Sequence, residues 1–275
     1  MTHKRVAFQG ERGAFSEAAA RQLLGESITA VACDKYEAVF DMVEARRADC
    51  AVIPIENSLV GSIHRYYDLL LERSLHVIGE TQVRIVHCLI APKGVAFKHI
   101  TKVYSHPVAL DQCRNFFDRY PRIAPISYYD TAGAVKMLAD SGARNAAAIA
   151  GPFAADLYPG MRVLRKSIED ERSNYTRFLL LARKPASFKG PAKTSIVFSM
   201  KNMPGGLFRA LSVFALRDID LTKIESRPVR KRAWQYHFYL DFIGSVKEEA
   251  VKNALDHLAE ITHFVRVLGS YPRSI

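Results

Sequence analysis

The chain contains few cysteines and no long apolar run. Its four cysteines, Cys33, Cys50, Cys88 and Cys113, are scattered without the spacing of a metal site or a redox pair, which predicts buried, reduced thiols. No apolar run approaches the roughly 18 residues of a membrane span. The stretch Met1–Arg5 leads directly into a strand pattern and lacks the apolar region of a signal peptide. From these absences we expect a cytoplasmic protein.

Two nucleotide-binding signatures are also missing. The glycines of Gly10-Glu11-Arg12-Gly13, after the first strand pattern, have the wrong spacing for a dinucleotide fingerprint or a phosphate loop. The net charge of +11 over 275 residues is compatible with nucleic acid, but a basic surface also attracts small dianions. The one dense basic stretch, Arg227–Arg232, is short and lacks an aromatic platform beside it. We therefore expect a small anionic ligand and neither a nucleic-acid nor a membrane partner.

Strand patterns alternate with helix patterns up to about residue 183, which indicates a parallel α/β sheet. The long run His76–Pro92 has the character of a segment that passes from one sheet to another, which implies two lobes with a cleft between them. The strand patterns are Arg5–Gln9, Ile28–Ala32, Ala51–Ile55, Val103–Tyr104, Ile126–Tyr129, Ala146–Ala150 and Phe178–Ala182. The helix patterns are Phe15–Leu24, Ala38–Arg46, Ile63–Arg73, Ala109–Arg119 and Ala132–Ser141.

A second, compact domain follows a linker rich in proline and glycine at residues 185–193. Its patterns follow the order strand, helix, strand, strand, helix, strand, which is the ferredoxin-like βαββαβ arrangement. They cover Thr194–Met200, Gly206–Arg217, Leu221–Val229, Trp234–Phe242, Val246–Ile261 and His263–Gly269. We therefore expect a first domain over residues 1–184, with one lobe at about 1–78 and 168–184 and the other at about 79–167, and a second domain over 194–275.

Polar clusters stand where predicted strands end. Gly10–Glu17, Pro54–Ser58 and Tyr129–Ala134 each follow a strand, and such loops line ligand crevices in open α/β sheets. Backbone N–H groups at helix N-termini favour anions there, although Ser16, Ser58 and Thr131 could also be simple N-caps. In Ser173–Phe178 a polar loop runs into a buried strand, so that a hydroxyl and a guanidinium stand side by side. That pair suits a small anion that must lose an oxygen.

These motifs, with Ser105-His106-Pro107 and Gln112-Cys113, resemble those of prephenate dehydratase in order and spacing. The C-terminal unit, with Pro204-Gly205-Gly206-Leu207 and Glu225-Ser226-Arg227-Pro228, resembles the ACT regulatory domain of that family. The resemblance implies a type II periplasmic-binding-protein-like catalytic domain, a cleft active site, and inhibition by L-phenylalanine bound between ACT domains of two subunits in a homodimer or homotetramer. The effector-binding residues would be Asn202, Pro204, Gly205, Gly206, Leu207, Glu225, Ser226 and Arg227.

The implied reaction is the decarboxylative dehydration of prephenate to phenylpyruvate, a step of phenylalanine synthesis. It needs no metal and no cofactor, only hydrogen bonding to the departing hydroxyl and poor solvation of the leaving carboxylate. The resemblance makes Thr176 and Arg177 the catalytic pair, with Thr176 donating to the hydroxyl and Arg177 clamping a carboxylate bidentately. Substrate-binding residues would be Ser16, Asn57, Ser58, Thr131, Ala132 and Phe178.

Several alternatives stay open at this point. Glu56 and Asp130 could be general acids if burial kept them protonated, or they could orient backbone groups, and His106 could be catalytic or merely structural. Arogenate differs from prephenate only in an ammonium for a keto group, and nothing in one sequence excludes it. A non-enzymatic amino-acid receptor would share the fold, and a nucleic-acid-binding regulator would lack any accompanying motif.

Overall fold

The computed structural model describes residues 3–200, 203–229 and 234–274. Contacts group the chain into two compact units: residues up to Gly61 together with Gln82–Phe178, and Ser62–Thr81 together with the residues from Leu179 onward. The domain limits expected from the sequence stay a prediction, since the second unit takes in a segment, Ser62–Thr81, from inside the expected first domain.

The strands and helices follow closely the patterns read from the sequence. The strands are β1 (Lys4–Gln9), β2 (Ile28–Cys33), β3 (Cys50–Asn57), β4 (Gly61–Ser62), β5 (His76–Arg84), β6 (Cys88–Pro92), β7 (Lys102–Ser105), β8 (Ala124–Ser127), β9 (Ala146–Ala150), β10 (Met161–Arg165), β11 (Tyr175–Ala182), β12 (Ala192–Ser199), β13 (Leu221–Pro228), β14 (Tyr236–Ile243) and β15 (Phe264–Pro272). The helices are α1 (Phe15–Leu24), α2 (Tyr36–Glu44), α3 (His64–Glu72), α4 (Pro107–Asp111), α5 (Arg114–Arg119), α6 (Thr131–Ser141), α7 (Pro152–Leu157), α8 (Gly206–Ala215) and α9 (Glu249–Ile261). The sequence patterns missed β4, β10 and α7.

The first sheet has the strand order β2-β1-β3-β11-β5, with β4 paired to β3. Strand β1 runs parallel to both β2 and β3, and its centre, Val6–Phe8, is fully buried. Such continuous apolar runs are typical of strands covered on both faces. Strand β11 begins at Tyr175, three residues before the strand expected from the sequence.

The second sheet has the order β10-β6-β9-β7-β8. Strands β7, β8 and β9 are parallel, whereas β6 is antiparallel to β9 and β10 antiparallel to β6, so the expectation of a purely parallel sheet is corrected to a mixed one. Strand β5 lies in the first sheet and β6 in the second, which confirms the predicted passage between sheets. The all-alanine-and-isoleucine strand β9 lets α6 pack closely, in a core that includes Ala134, Val135 and Leu138.

The predicted helix Ala109–Arg119 is two helices, because a carboxylate from another part of the chain caps the second one. The Asp170 side chain accepts hydrogen bonds from the backbone N–H groups of Arg114 and Asn115, at 2.9 and 3.0 Å. These are donors that the first turn of a helix leaves unpaired. The break leaves Gln112 between α4 and α5, where its side chain can take part in long-range contacts.

In the second unit, the strand order β13-β14-β12-β15 is fully antiparallel. Helices α8 and α9 pack on one face, where Phe214 of α8 shares a core with Phe198 and Phe242 of the sheet. The ferredoxin-like βαββαβ prediction is confirmed. Among the described residues, no helix has the length and apolarity that crossing a bilayer would require.

The opposite face of this antiparallel sheet is covered by α3 and the start of β5, which belong to the same unit. The Tyr239 hydroxyl donates to the Tyr67 carbonyl at 2.7 Å, and the Arg266 guanidinium donates to the carbonyls of Leu71 and Arg73 at 2.9 and 2.6 Å. The carbonyls of Leu71 and Arg73 lie at the C-terminal end of α3, where a helix leaves carbonyl groups unpaired.

Candidate active site

The candidate site is built where β3 and β11 lie side by side. Asn57, the last residue of β3, places its amide nitrogen 3.0 Å from the Thr176 hydroxyl and 2.7 Å from the Asn174 side-chain oxygen. Asn174 is fully buried and Thr176 is 7 % exposed. The sequence suggested Asn57 and Thr176 as separate candidates. The pairing of β3 with β11 brings them into one cluster.

The orientation of the Asn57 amide is fixed by the backbone. Its oxygen accepts hydrogen bonds from the N–H groups of Leu59 and Val60, both at 3.0 Å, so its nitrogen must face Asn174 and Thr176. Because Asn57 is the donor, the Thr176 oxygen is the acceptor and the Thr176 proton is left to point elsewhere.

The same reasoning fixes the donors and acceptors of the next two hydrogen bonds, from Asn174 to Gln112 and from His87 to Gln112. Since the Asn174 oxygen accepts from Asn57, its nitrogen faces the Gln112 side-chain oxygen at 3.0 Å. That oxygen also lies 2.8 Å from His87 Nε2, so His87 must donate there. Burial lowers the pKa of His87, against the opposing effects of the Gln112 hydrogen bond and the charge of Glu169, which favours a neutral ring.

Helix α1 begins beside this cluster. The ring of Phe15 meets His87 edge to face, with 6.0 Å between ring centroids. The N-cap residue of α1 is Ala14, whose side chain cannot accept a hydrogen bond. Ser16, in the first turn of α1, is 7 % exposed. The helix start therefore offers backbone N–H donors and a hydroxyl close to the amide cluster.

The loop before α1 is held by Glu17, whose side chain is fully buried. Its carboxylate accepts from the Gly13 backbone N–H at 2.9 Å and pairs with Arg12 at 2.9 Å and Arg21 at 2.7 Å. Burial alone raises the pKa of Glu17, but the hydrogen bonds from Arg12, Gly13 and Arg21 outweigh it, so the pKa lies below its usual value.

Thr131 begins α6, but the N-cap is Asp130, whose carboxylate accepts from the Gly133 N–H at 2.8 Å. Burial raises the pKa of Asp130, although backbone hydrogen bonds from Gly133 and Ala132 oppose the change. Gly10, at φ +108°, approaches Asp130 so closely that a Cβ there would lie 2.8 Å from a carboxylate oxygen. Thus the loop after β1 and the start of α6 meet, and Asp130 orients backbone groups.

None of the three hydroxyl residues suggested as N-caps has that role: Ser16 lies inside α1, Thr131 inside α6, and Ser58 follows a strand. Ser58 ties β3 to the approach of β11 instead, since its hydroxyl donates to the Ser173 carbonyl and accepts from the Tyr175 N–H, both at 2.9 Å. His106 caps α4 by accepting from the Val108 N–H at 3.2 Å.

Arg177 departs from the arrangement that the sequence suggested. Because β11 already begins at Tyr175, Thr176 and Arg177 are consecutive strand residues and project to opposite faces of the sheet. Arg177 is 7 % exposed and pairs with Glu56 at 3.2 Å, while Thr176 bonds to Asn57. The expected side-by-side pair is therefore split. Glu56 neutralises the Arg177 guanidinium, which was expected from the sequence to bind a substrate carboxylate.

Ala132 and Phe178, the other expected substrate contacts, are 0 % and 1 % exposed. Ala132 packs in the core beneath the second sheet. Phe178 follows Arg177 in β11 and shares the face of Thr176, because side chains two apart in a strand point the same way. Both side chains support the site from within the core.

The expected effector residues divide between two faces of β13. Ser226 is paired with Phe238 of β14, and paired residues share a face; that face carries α8. Gly205, in the left-handed conformation at φ +72°, starts α8. A cavity of about 230 Å³ there is lined by Met200, Met203, Gly205, Gly206, Leu207, Phe208, Trp234, Gln235, Tyr236 and Phe238. Pro204 precedes it and is exposed, while Asn202 and the basic residues Arg230, Lys231 and Arg232 lie outside the described residues.

Glu225 and Arg227 point to the opposite face of β13, toward α3. Glu225 accepts from the Ser62 hydroxyl at 2.6 Å and lies 3.3 Å from His64 Nε2. Arg227 pairs with Asp68 at 3.3 Å. These two side chains thus bind the segment that follows β3 rather than the cavity at α8.

Fold and geometry together define an α/β protein with a buried amide-and-hydroxyl cluster and a C-terminal ferredoxin-like domain that holds an apolar cavity. A family model described as prephenate dehydratase matches residues 6–186, and one described as ACT domain matches residues 194–260. The chain therefore belongs to the prephenate dehydratase family. This confirms the resemblance and the carbon–oxygen lyase class that it implied.

Individual relatives agree with this family. Arogenate dehydratase/prephenate dehydratase 2 of Arabidopsis thaliana is 48 % identical over 98 % of this chain and 72 % of its own length. A prephenate dehydratase of Arthrobacter aurescens, solved in complex with L-Phe, has a TM-score of 0.89 at 33 % identity and covers 98 % of this chain and 90 % of its own. GqqA, described as a quorum quenching acylase, has a TM-score of 0.90 at 32 % identity over 98 % of both chains.

The expectation of a cytoplasmic protein is contradicted by these comparisons and is wrong. Several of the similar Arabidopsis thaliana proteins carry the word chloroplastic in their names. The expectation depended on the absence of an apolar leader, which does not test for a plastid location.

Asn174, Gln112 and His87 were missed as site residues. Gln112 and Asn174 both stood within quoted motifs, so position alone could have raised them. His87 gave no local signal, because its contact with Gln112 joins residues 25 positions apart.

Proposed function

We propose that the chain catalyses the decarboxylative dehydration of prephenate to phenylpyruvate, with Thr176 as the hydrogen-bond donor to the departing hydroxyl. The observation that carries the proposal is the bond from the Asn57 amide to the Thr176 oxygen, at 3.0 Å. With an acceptor site of that oxygen filled from a fixed direction, the hydroxyl proton is available to a ligand. A donor aimed where negative charge develops is a large catalytic effect.

The two substrate carboxylates need donors, and Arg177 now suits this role less well than the sequence suggested. The start of α1, with Ser16, supports binding of one carboxylate through backbone N–H groups and a hydroxyl. Thr131 supplies a further hydroxyl at the start of α6. Neutral donors suit the carboxylate that leaves, because a strong ion pair would stabilise the ground state. We assign Arg177, through Glu56, to holding β3 against β11.

Arogenate is the second candidate substrate. It is favoured by the Petunia hybrida relative named arogenate dehydratase 2, 46 % identical over 98 % of this chain. The two substrates differ in a keto group or an ammonium at the side chain, so a carboxylate facing that position would favour arogenate.

The test is an absorbance assay for phenylpyruvate from prephenate, run beside an amino-acid assay for phenylalanine from arogenate. Thr176→Ala should lower kcat about 100- to 1000-fold and change KM little, while Thr176→Ser, which keeps the hydroxyl, should retain most of the activity. Near-normal turnover by Thr176→Ala would remove the proposed role. Turnover of neither substrate by the unaltered chain would remove the proposed function.

We further propose L-phenylalanine as a feedback inhibitor bound at the α8 cavity, with the ACT domains joining two or four copies of the chain. Support comes from the apolar lining, from the exposed Phe208 and Trp234, each 76 % exposed, and from the L-Phe complex of the Arthrobacter aurescens relative. The pairing of β14 with β13 supports the coupling, because β14 lines the cavity with Tyr236 and Phe238. Its neighbour β13 bonds to Ser62 and Asp68 through Glu225 and Arg227. Calorimetric titration with L-phenylalanine, with inhibition measured in parallel, tests this.

A further inference from the structure

We infer that His87 is a positioning residue, which holds the Gln112 side chain so that its amide N–H₂ group faces the reacting substrate. The inference rests on the proposed dehydratase function. His87 does not itself contact the Thr176 hydroxyl. A series of side-chain hydrogen bonds connects the two, from Thr176 through Asn57, Asn174 and Gln112 to His87.

The geometry around His87 is that of a fixed ring. His87 is only 2 % exposed, and its backbone N–H donates to the buried Glu169 carboxylate at 2.9 Å. Phe15 packs against the ring edge to face. With backbone and ring both held, the Nε2–H direction is set, and it points at the Gln112 oxygen 2.8 Å away.

Two donors then fix Gln112. Its side-chain oxygen accepts from His87 and from Asn174, at 2.8 and 3.0 Å, so both of its main acceptor directions are filled. The amide nitrogen must turn away from both partners. Reversing the amide would set its N–H₂ against the Asn174 nitrogen, whose own direction is fixed through Asn57 by the backbone of Leu59 and Val60.

His87 makes its side-chain hydrogen bond through Nε2. His87 Nδ1 is buried and has no hydrogen-bond partner among residues 3–200, 203–229 and 234–274. The ring therefore bears the cost of burying one polar atom while it makes a single side-chain hydrogen bond, to Gln112. Burial lowers the pKa of His87, consistent with a neutral ring protonated on Nε2.

The kinetic test compares His87→Leu with His87→Gln. Leucine removes the donor, and we expect kcat to fall about 10- to 100-fold, as for a displacement of a reacting group by about 1 Å, with a smaller change in KM. Glutamine offers an N–H₂ donor in place of Nε2–H and should recover most of the loss. His257→Gln, at a half-buried position of α9, is the matched control. Wild-type kcat in His87→Leu would overturn the inference, and so would equal loss in both His87 variants when both are folded.

A second measurement does not depend on turnover or on the folding of the leucine variant. Imidazole nitrogen NMR of the unaltered protein should show His87 as a neutral ring protonated on Nε2, and Gln112→Ala should shift that N–H resonance. A ring protonated on Nδ1, or an N–H resonance indifferent to Gln112→Ala, would overturn the inference. If the unaltered chain turned over neither prephenate nor arogenate, the proposed function would fail, and the NMR result would still decide whether His87 holds Gln112.

Discussion

Asn57→Asp is a nearly isosteric change whose effect can be worked out from the hydrogen bonds. The Asn57 nitrogen faces three acceptors, the Asn174 oxygen, the Tyr175 carbonyl and the Thr176 hydroxyl, at 2.7, 3.1 and 3.0 Å. Two amide protons serve these three acceptors. A carboxylate oxygen in that place removes both donors and sets a charge against the Tyr175 carbonyl, which cannot donate. The Asn174 amide would have to give up its hydrogen bond to Gln112 in order to turn its N–H₂ group toward the carboxylate.

The loss can be given a magnitude. Two hydrogen bonds at roughly 0.5–1.5 kcal/mol each, plus about 1–3 kcal/mol for desolvation of the acceptor left unpaired in a buried site, amount to about 2–6 kcal/mol of unfolding free energy. Catalysis should suffer separately, because the Thr176 proton would turn to the new carboxylate. Loss of one such donor lowers kcat about 100- to 1000-fold.

The assay is urea unfolding at neutral pH with kcat measured in the same samples. Asn253→Asp, the same chemical change at an exposed position of α9, is the control and should stay within about 0.5 kcal/mol of wild type. If Asn57→Asp unfolds and turns over like Asn253→Asp, the assigned directions of these hydrogen bonds are mistaken.

Three further predictions concern stability and the arginine. Glu17→Gln should lower unfolding free energy at pH 7 by about 1–3 kcal/mol. Because the pKa of Glu17 is lowered in the folded state, its contribution is complete above the unfolded value of about 4.3 and is lost as pH falls through the folded pKa; the variant should therefore flatten the stability profile below that pH. Gly269→Ala should cost about 1–3 kcal/mol, since a Cβ there would collide with the Val77 carbonyl. Arg177→Lys should lower stability through weaker pairing with Glu56 and leave KM for prephenate nearly unchanged.

Each of these has a distinct check. For the glutamate, parallel acid-unfolding curves of variant and wild type would contradict the lowered pKa. For the glycine, the control is Gly79→Ala, whose Cβ would meet Leu180 at an ordinary 3.7 Å and should stay near wild type; equal losses would show that the close approach of β15 and β5 does not matter. For the arginine, a large rise in KM at unchanged stability would restore it as a substrate clamp.

The sequence was sufficient for the elements whose signals are local. Helix α1 and strand β9 have the predicted bounds, because an amphipathic period or an apolar run is complete within each of them. The break between α4 and α5 could not be read, since the carboxylate that caps α5 comes from Asp170, more than 50 positions away. The antiparallel strand β10 was missed for a similar reason: its MRVLR sequence gains strand character only from pairing with β6.

One physical rule explains both departures from the expected sites. A motif read along the chain suggests that neighbouring residues act on one ligand, but in a strand neighbours point to opposite faces and only alternate residues meet the same partner. Thr176 and Arg177 are separated in this way by β11, and Ser226 is separated from Glu225 and Arg227 by β13. In β11 the division gives one face to the hydrogen bond between Thr176 and Asn57 and the other to the ion pair of Arg177 with Glu56.

In β13 the same division has a regulatory consequence. A ligand against Tyr236 and Phe238 of β14 would press on the face of the sheet that carries Ser226 of β13. The contact from Glu225 to Ser62 lies on the opposite face of β13. A change of twist in β13 on effector binding would therefore act on Glu225 and on its hydrogen bond with Ser62. It follows that Glu225→Gln should leave the affinity for L-phenylalanine intact while weakening its inhibition, because binding and response use different faces of the strand.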